Sequence, residues 1–385
     1  MVTDISKVNI TRVLRLIWLE PGISRVDISR RLGLNKSTVT KIVGILEGLE
    51  VVKTRRIGQA GPSGGRRPIH LEVNASWGCI LGVEIQTESF SYVGVNLHGD
   101  VLFSHSEQFD LRKTDLLTGF LSIVDQARAH IRKEGLTLRG IGAGFPGFVD
   151  PVRGVLRASM PFNLYTPIDV VHNDRVRSAI QVPLLIDNDA NCGCWGELAF
   201  RHTERAENFL FVLGELRKHT VEMDDYRILA LGVGLVLNGR VWHGPDFAAG
   251  EFRSVFHTGQ TVNQFSVSDD EARLFLKNSV VNDSILEELA PQIAFLVNIL
   301  NLHKVVVGGP FERLASNLEQ RVRRHLKINW TYPIEKPFEM AVSSVGDLAV
   351  AYGAAAMFLE HMITVPIVGR GRDDMAPHGI DLLNV

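Results

Sequence analysis

The 385-residue chain has only three cysteines, Cys79, Cys192 and Cys194. An odd number with no ligand-like pairs elsewhere excludes a disulfide framework and a four-cysteine metal centre, and the thiols read as small buried hydrophobes. No apolar run approaches the ~18 residues needed to span a bilayer. The N-terminus also lacks the charged start and apolar core of a secretory leader, so the expectation is a soluble cytoplasmic protein without membrane contact. Net charge is scarce as well: 41 Lys and Arg oppose 43 Asp and Glu, giving −2. What is abundant is apolar sequence, 45% of the chain, at a length that predicts two or three domains with large cores.

The small net charge hides an asymmetry. Residues 1–72 hold 13 Lys and Arg against 6 Asp and Glu, net +7, while the remainder holds 28 against 37, net −9. A basic module on an acidic body points to a nucleic-acid-binding head. Within it, "ITRVLRLIWLE" sets Ile10, Val13, Leu14, Ile17 and Trp18 at helical spacing. A second helix opens at Ser24, where Asp27 is placed to close a capping box, and stops at Gly33. Asn35 can then cap a third, whose Val39, Ile42, Val43 and Leu46 face inward while Lys36, Ser37, Thr38 and Lys41 stay outside.

That is the pattern of a helix-turn-helix, whose recognition helix offers short polar and basic side chains to the major groove. The alternative is a plain three-helix bundle. "VVKTRRIGQAGPSGGRRPIHLEV" favours the first reading, because its strand-like ends flank a Gly-rich loop, as in a wing. It supplies Lys53, Arg55, Arg56, Arg66 and Arg67 to a phosphate backbone or minor groove, unless those arginines belong to a solvated basic linker.

From Trp77 onward the pattern is α/β. Three strands with a turn at Gly99-Asp100 precede a helix over about 114–134 and a buried strand ending in "GFPGFVDP". "LLIDNDANCGCWGE" then brings two carboxylates and an amide to a strand end, where α/β proteins place ligand-binding residues. A second round follows: "NFLFVLGE", "RILALGVGLVLNGRVWHG", a helical stretch over about 269–303, and "KVVVGG". Two similar halves imply two lobes with a cleft between them.

These motifs, with "GVGLVLNGRVWHGPDFAAGEF", "NLHKVVVGGPFERL" and "GDLAVAYGAAAMFLE", resemble in order and spacing those of the ROK family of bacterial sugar kinases and sugar-responsive transcription regulators. The resemblance covers about residues 78–360, and the head resembles that of the regulator branch, which includes the xylose, N-acetylglucosamine and glucose-regulon repressors. It implies an α/β, actin-like (hexokinase-type) bilobal ATPase fold behind a winged helix-turn-helix domain, and a homodimer or homotetramer. The division expected is 1–72 for the head, 73–187 with 346–385 for the first lobe, and 188–345 for the second.

The departures from the kinase pattern are as telling. Where the kinases have an Asp-x-Gly-Gly-Thr phosphate turn, this chain has Glu84-Ile85-Gln86-Thr87. Gln86 puts a side chain where bare backbone should cradle phosphate. The second phosphate loop becomes "ALGVGLV", keeping Gly232 and Gly234, and "GELRKHTVEMDDYR" before it resembles an insertion. The family's structural zinc loop has no counterpart, since Ser254 replaces its histidine and no cysteine follows; His257 alone cannot replace the ligands. No metal and no cofactor are expected.

The resemblance places Asn163, Asn188, Asp189 and Glu251 on the family's hydroxyl-binding set. Amides and carboxylates suit a sugar, whose hydroxyls both donate and accept. Asn163 and Asn188 also fit turns that bond their own backbone. Asp189 falls on the kinases' general base, but without positioned phosphates and metal it reads as a hydroxyl acceptor retained for binding. The expectation is a sugar-responsive DNA-binding repressor with operator DNA and a sugar effector as partners, and no catalytic residue. The alternatives are an active sugar kinase with an added head and a ligand-independent regulator.

Overall fold

In the computed structural model the chain is described over residues 4–57, 69–111, 114–199, 207–218, 227–259 and 261–364. The head is built from α1 (Asp4–Leu19), β1 (Ile23–Ser24), α2 (Arg25–Leu32), α3 (Lys36–Gly48), β2 (Val52–Ile57) and β3 (Ile69–Val73). Ser24 starts α2 as expected: its hydroxyl accepts from the Asp27 N–H at 3.2 Å. The box closes differently, with Ser24 Oγ donating to the Asp27 carboxylate at 2.6 Å. Gly33 ends the helix at φ 64°. The strands pair antiparallel in the order β1-β3-β2, and the two-residue β1 adds a strand too short to announce itself in sequence.

The body has two five-stranded sheets. In the first lobe β4 (Cys79–Ile85), β5 (Ser89–Val95) and β6 (Val101–Gln108) form an antiparallel meander. After α4 (Leu116–Lys133), β7 (Leu138–Phe145) runs parallel to β4. A small sheet of β8 (Phe148–Asp150), β9 (Val155–Ala158) and β10 (Ile168–Asp169) intervenes before α5 (Asp174–Ile180) and β11 (Leu184–Asn188), which is parallel to β7.

The second lobe repeats the plan. After α6 (Asp189–Ala199) come β12 (Phe209–Lys218), β13 (Arg227–Leu237) and β14 (Arg240–Val241), antiparallel in sequence. β15 (Lys304–Gly308) and β16 (Glu339–Val342) then add parallel strands around α9 (Ala315–Asn329). Before them, the single helix expected over 269–303 is two, α7 (Asp269–Ala272) and α8 (Ser279–Ile299). Ser268 and Asn278 each cap a fresh start and Leu276 between them adopts φ 65°, so local polar capping outweighs the continuous apolar pattern.

Two helices cross between the lobes. α6 follows a first-lobe strand yet packs on β12 and β13, and α10 (Ala349–Ile363) follows a second-lobe strand yet packs on β4, β5 and β7. They also pack on each other, and the approach is backbone to backbone. A Cβ on Gly353 of α10 would sit 1.7 Å from the Cys192 carbonyl oxygen of α6, and Cβ atoms on Gly82 and Gly142 would sit 1.9 Å from α10 carbonyls. Every residue of α10 is buried. Cys79, Cys192 and Cys194 are buried thiols, and burial pushes Cys79 up to about 12.

One hydrophobic cluster runs from the head into the body. It joins Leu14, Ile17 and Trp18 of α1 with Val93 and Val95 of β5 and Phe358, Met362 and Ile363 of α10. Polar contacts fix the junction: Trp18 Nε1 donates to the Leu97 carbonyl at 2.8 Å, Trp77 Nε1 to that of Leu49 at 3.1 Å, and Tyr352 Oη to that of Gly99 at 3.0 Å. The Gly353→Ala substitution is expected to lower unfolding free energy by about 3 kcal/mol, since the clash is with backbone. A denaturant midpoint unchanged from the parent would contradict so close a crossing.

Candidate nucleic-acid interface and interlobe site

The outer face of α3 is polar because its apolar residues recur every third or fourth position and are spent on the core. Val39, Ile42, Val43 and Leu46 are buried; Asn35, Lys36, Ser37 and Lys41 are exposed and Thr38 is half-buried. Asn35 stands at the N-cap, but its side chain makes no cap hydrogen bond. Thr40, which the sequence reading passed over, is exposed on the same face, three residues from Ser37. The Arg25 guanidinium donates to Glu47 at 3.0 Å, fixing α2 against α3.

β2 and β3 are the strands of the expected wing, and they carry Lys53, Arg55 and Arg56. Lys53 Nζ lies 3.6 Å and Arg55 Nε 3.4 Å from Glu72 on the opposite strand. Exposed pairs of this kind contribute at most about 1 kcal/mol, so both bases can be drawn to phosphate. Arg66 and Arg67 lie outside the described residues.

The interlobe site forms where β11 ends and α6 begins. Asn188 turns the chain: its amide oxygen accepts from the backbone N–H groups of Ala190 at 2.9 Å and Asn191 at 3.3 Å, and Nδ2 donates to the Gly147 carbonyl at 3.0 Å. Most of its hydrogen-bonding capacity is thus used within the fold. Asp189, the first residue of α6, is buried; its Oδ1 accepts from the Ala190 N–H at 2.8 Å and its Oδ2 from Arg217 Nη2 at 2.9 Å. Glu251 is exposed at residue level and lies within electrostatic reach of both Asp189 and Arg217. Asn163 is an exposed turn residue at φ 51°, and no hydrogen bond joins its side chain to the others among the described residues.

Arg217 was not expected here. It lies in the stretch read as an insertion, whose beginning continues β12, while Arg227 onward continues β13; residues 219–226 are outside the described residues. Period-two alternation puts Glu215 and Arg217 on one face of β12, and Arg217 Nε donates to Glu215 Oε2 at 2.5 Å. From the first lobe, Gln86 Nε2 donates to Glu215 Oε1 and, at 3.3 Å, to Glu84. The sequence signal was present but unread: a Glu-x-Arg pair inside an apolar strand demands charged partners opposite.

Gly232 and Gly234 do not form a loop. They are strand residues of β13, where a Cβ on Gly234 would meet Cys194 Sγ at 2.3 Å, so they make room for α6. A second tie joins the lobes at Asp187, whose Oδ2 lies 2.8 Å from His243 Nε2 and accepts from Trp195 Nε1 at 3.1 Å, with Asn191 Nδ2 on Oδ1 at 3.1 Å. Asp187 is driven below, and His243 above, its ordinary range by their mutual attraction, despite burial. At the positions where zinc ligands would be expected, Ser254 Oγ accepts from Gln292 Nε2 at 3.0 Å, and His257 Nδ1 accepts from the Gly259 N–H at 2.9 Å.

A cavity of about 180 Å³ is lined by Glu84, Gln86, Thr87, Glu215 and Arg217, and none of Asn163, Asn188, Asp189 and Glu251 is among its lining residues. Burial raises the carboxyls of Glu84, Asp189 and Glu215, Arg217 opposes it at all three, and Glu215 is pushed up to about 8. One guanidinium serves three buried acids, so the cluster as a whole holds a proton. Because that proton is bound in the folded chain up to about pH 8 but is lost near pH 4.3 when unfolded, stability falls as pH rises across that window. The Glu215→Gln variant is expected to flatten this slope, measured as urea midpoints at about pH 5 and about pH 9. Equal slopes in parent and variant would place the proton elsewhere.

Comparison with known proteins adds three findings. The winged helix-turn-helix DNA-binding family model matches residues 9–53, and the ROK family model matches residues 80–253. The chain is 26% identical over 408 residues to the xylose repressor of Bacillus subtilis (strain 168), covering 94% of this chain and 97% of that protein. It is 22% identical over 285 residues to a glucokinase of Halalkalibacterium halodurans, covering 62% and 81%. Among solved structures, a ROK family transcriptional regulator, a homologue of the E. coli MLC protein, aligns over 92% of this chain and 96% of its own with a TM-score of 0.71 at 20% identity. A ROK family glucokinase from Streptomyces griseus, in complex with glucose and AMPPNP, aligns over 73% and 99% with a TM-score of 0.55 at 17% identity.

Proposed function

Because this chain belongs to the ROK family and carries a winged helix-turn-helix head, we propose that it is a sugar-responsive DNA-binding repressor whose effector binds between the lobes. The observation that carries this reading is the shared hydrophobic core: the DNA-binding head is packed into the sugar-kinase-like body through α1, β5 and α10. A cleft and a head built into one core can bias each other, which a flexible tether would not allow.

Phosphoryl transfer finds no support in the cleft. A kinase needs bare backbone for phosphates and an aspartate able to accept a proton from the sugar hydroxyl. Here the Gln86 side chain reaches across to Glu215, and Arg217 occupies Asp189. Asp189 is therefore a binding group, flanked by Asn188 and Glu251, with Asn163 on a turn that a ligand can approach.

Operator recognition falls to Asn35, Lys36, Ser37, Thr38 and Lys41 on α3, with Arg55, Arg56, Arg66 and Arg67 as wing contacts. Homodimerisation fits the same scheme. Phe295 and Ile299 on α8 and the neighbouring Val255 and Phe256 are exposed, and the Val255 N–H donates to Gln292 of that helix at 3.1 Å. A second copy covering this patch would bring two heads into one particle, as binding to two half-sites about 34 Å apart requires.

The test is an operator titration with and without sugars, using a duplex enriched by the parent protein. Asp189→Asn and Glu251→Gln are each expected to cost about 1.5–3 kcal/mol of sugar affinity while DNA affinity without sugar stays at the parental level. A variant still released at the parental sugar concentration would remove that residue from the site. Sugar-dependent ATP turnover at even about 1 per second would restore the kinase reading.

A further inference from the structure

Gly44 stands in the middle of α3, on its exposed face, four residues after Thr40 and three after Lys41. Most glycines among the described residues have a reason inside the fold. Gly33 ends a helix at φ 64°, and Gly82, Gly142 and Gly353 admit a neighbouring backbone. Gly44 has neither: its φ is not in the left-handed region, and a Cβ there would meet nothing within 4 Å. In a helix interior glycine is the least stabilising residue after proline, so the isolated chain gains nothing from it. Gly48, by contrast, is the last residue of the helix, where glycine is ordinary.

Resting on the DNA-binding reading above, we propose that Gly44 is a specificity-determining position of the recognition helix, kept bare so that the floor and wall of the operator's major groove can approach the helix backbone. The groove is about 12 Å wide and a helix with its side chains is about 10–12 Å across. A residue whose side chain is a hydrogen lets the axis sink on that side. Ser37, Thr40 and Lys41 lie on the same face within two turns and reach base edges only if the axis sits deep enough. Bulk at position 44 would hold the helix away and cost the short side chains, Ser37 and Thr40, their contacts first.

The experiment compares the parent with Gly44→Ala and Gly44→Leu in the full-length chain, on a duplex enriched by the parent from a random-sequence pool and on an unselected duplex. Both variants should melt higher by about 1–3 °C, since both residues favour helix. Affinity for the selected duplex should fall about tenfold for Ala and about a hundredfold for Leu, the range of overpacking penalties. Affinity for the unselected duplex, held by phosphate contacts, should stay within about twofold. A more stable protein that reads its site less well is an outcome a purely structural glycine does not give. Gly44→Leu binding the selected duplex within about twofold of the parent would overturn the inference. A parent that enriches no sequence at all would overturn the DNA-binding reading itself, a failure visible before any variant is made.

Discussion

The crossing of α6 and α10 is the constraint from which the rest of the structure follows. Each helix leaves one lobe and packs on the sheet of the other, and at Gly353 they touch backbone to backbone. Glycine stands at position 353 because nothing larger fits there. α6 begins with Asp189 in the interlobe site, and α10 ends with Met362 and Ile363 in the core shared with the head. A contact this tight slides or rotates as a unit rather than deforming continuously, since close-packed interiors have little compressible space.

The cleft shows how charge restrains the same two lobes. Arg217 from the second lobe holds Asp189, Gln86 from the first holds Glu215, and Asp187 lies against His243. Buried charges need partners, and removing one partner of such a pair costs several kcal/mol. A ligand entering here therefore competes with existing bonds and must replace what it displaces. Hydroxyls on adjacent carbons can do so, because each donates to a carboxylate while accepting from a guanidinium. The geometry of the cleft is thus compatible with selective sugar binding.

The legibility of the sequence divides along physical lines. Helix-turn-helix, wing and two-lobed body were readable because hydrophobic period, caps and turn residues are local signals. Val39, Ile42, Val43 and Leu46 announce the inner face of α3, and Ser24 and Gly33 its predecessor's ends. The α7–α8 break was not readable, because apolar residues continue through it while the decision lies with Ser268 and Asn278 capping separate starts. The site was half readable. Asn188 and Asp189 were visible at a strand end, whereas Arg217 reaches Asp189 from 28 residues along the chain, through the packing of α6 on β12 and β13. Gly232 and Gly234 read as loop glycines until the packing of α6 against β13 gave them another cause.

From these pieces the coupling of cleft to head has a definite mechanical form. A sugar that contacted Asn163 in the first lobe and Glu251 in the second would bind better to one lobe angle than to another, and only that difference in affinity would be available to act on the head. A movement of α6 would be passed on to α10, because their backbones have no slack between them. α10 presses on α1 through Phe358 and Ile363, and Trp18 of α1 is tied to Leu97 beyond β5. A tilt at that junction would displace α3 with the rest of the head, since α1 and α3 share one core. In a dimer two recognition helices must meet half-sites one turn of DNA apart, so a small tilt in each protomer is counted twice against that spacing. The head would need no hinge of its own: on the proposed function, the rigidity of its shared core would let a ligand in the cleft be felt on the DNA.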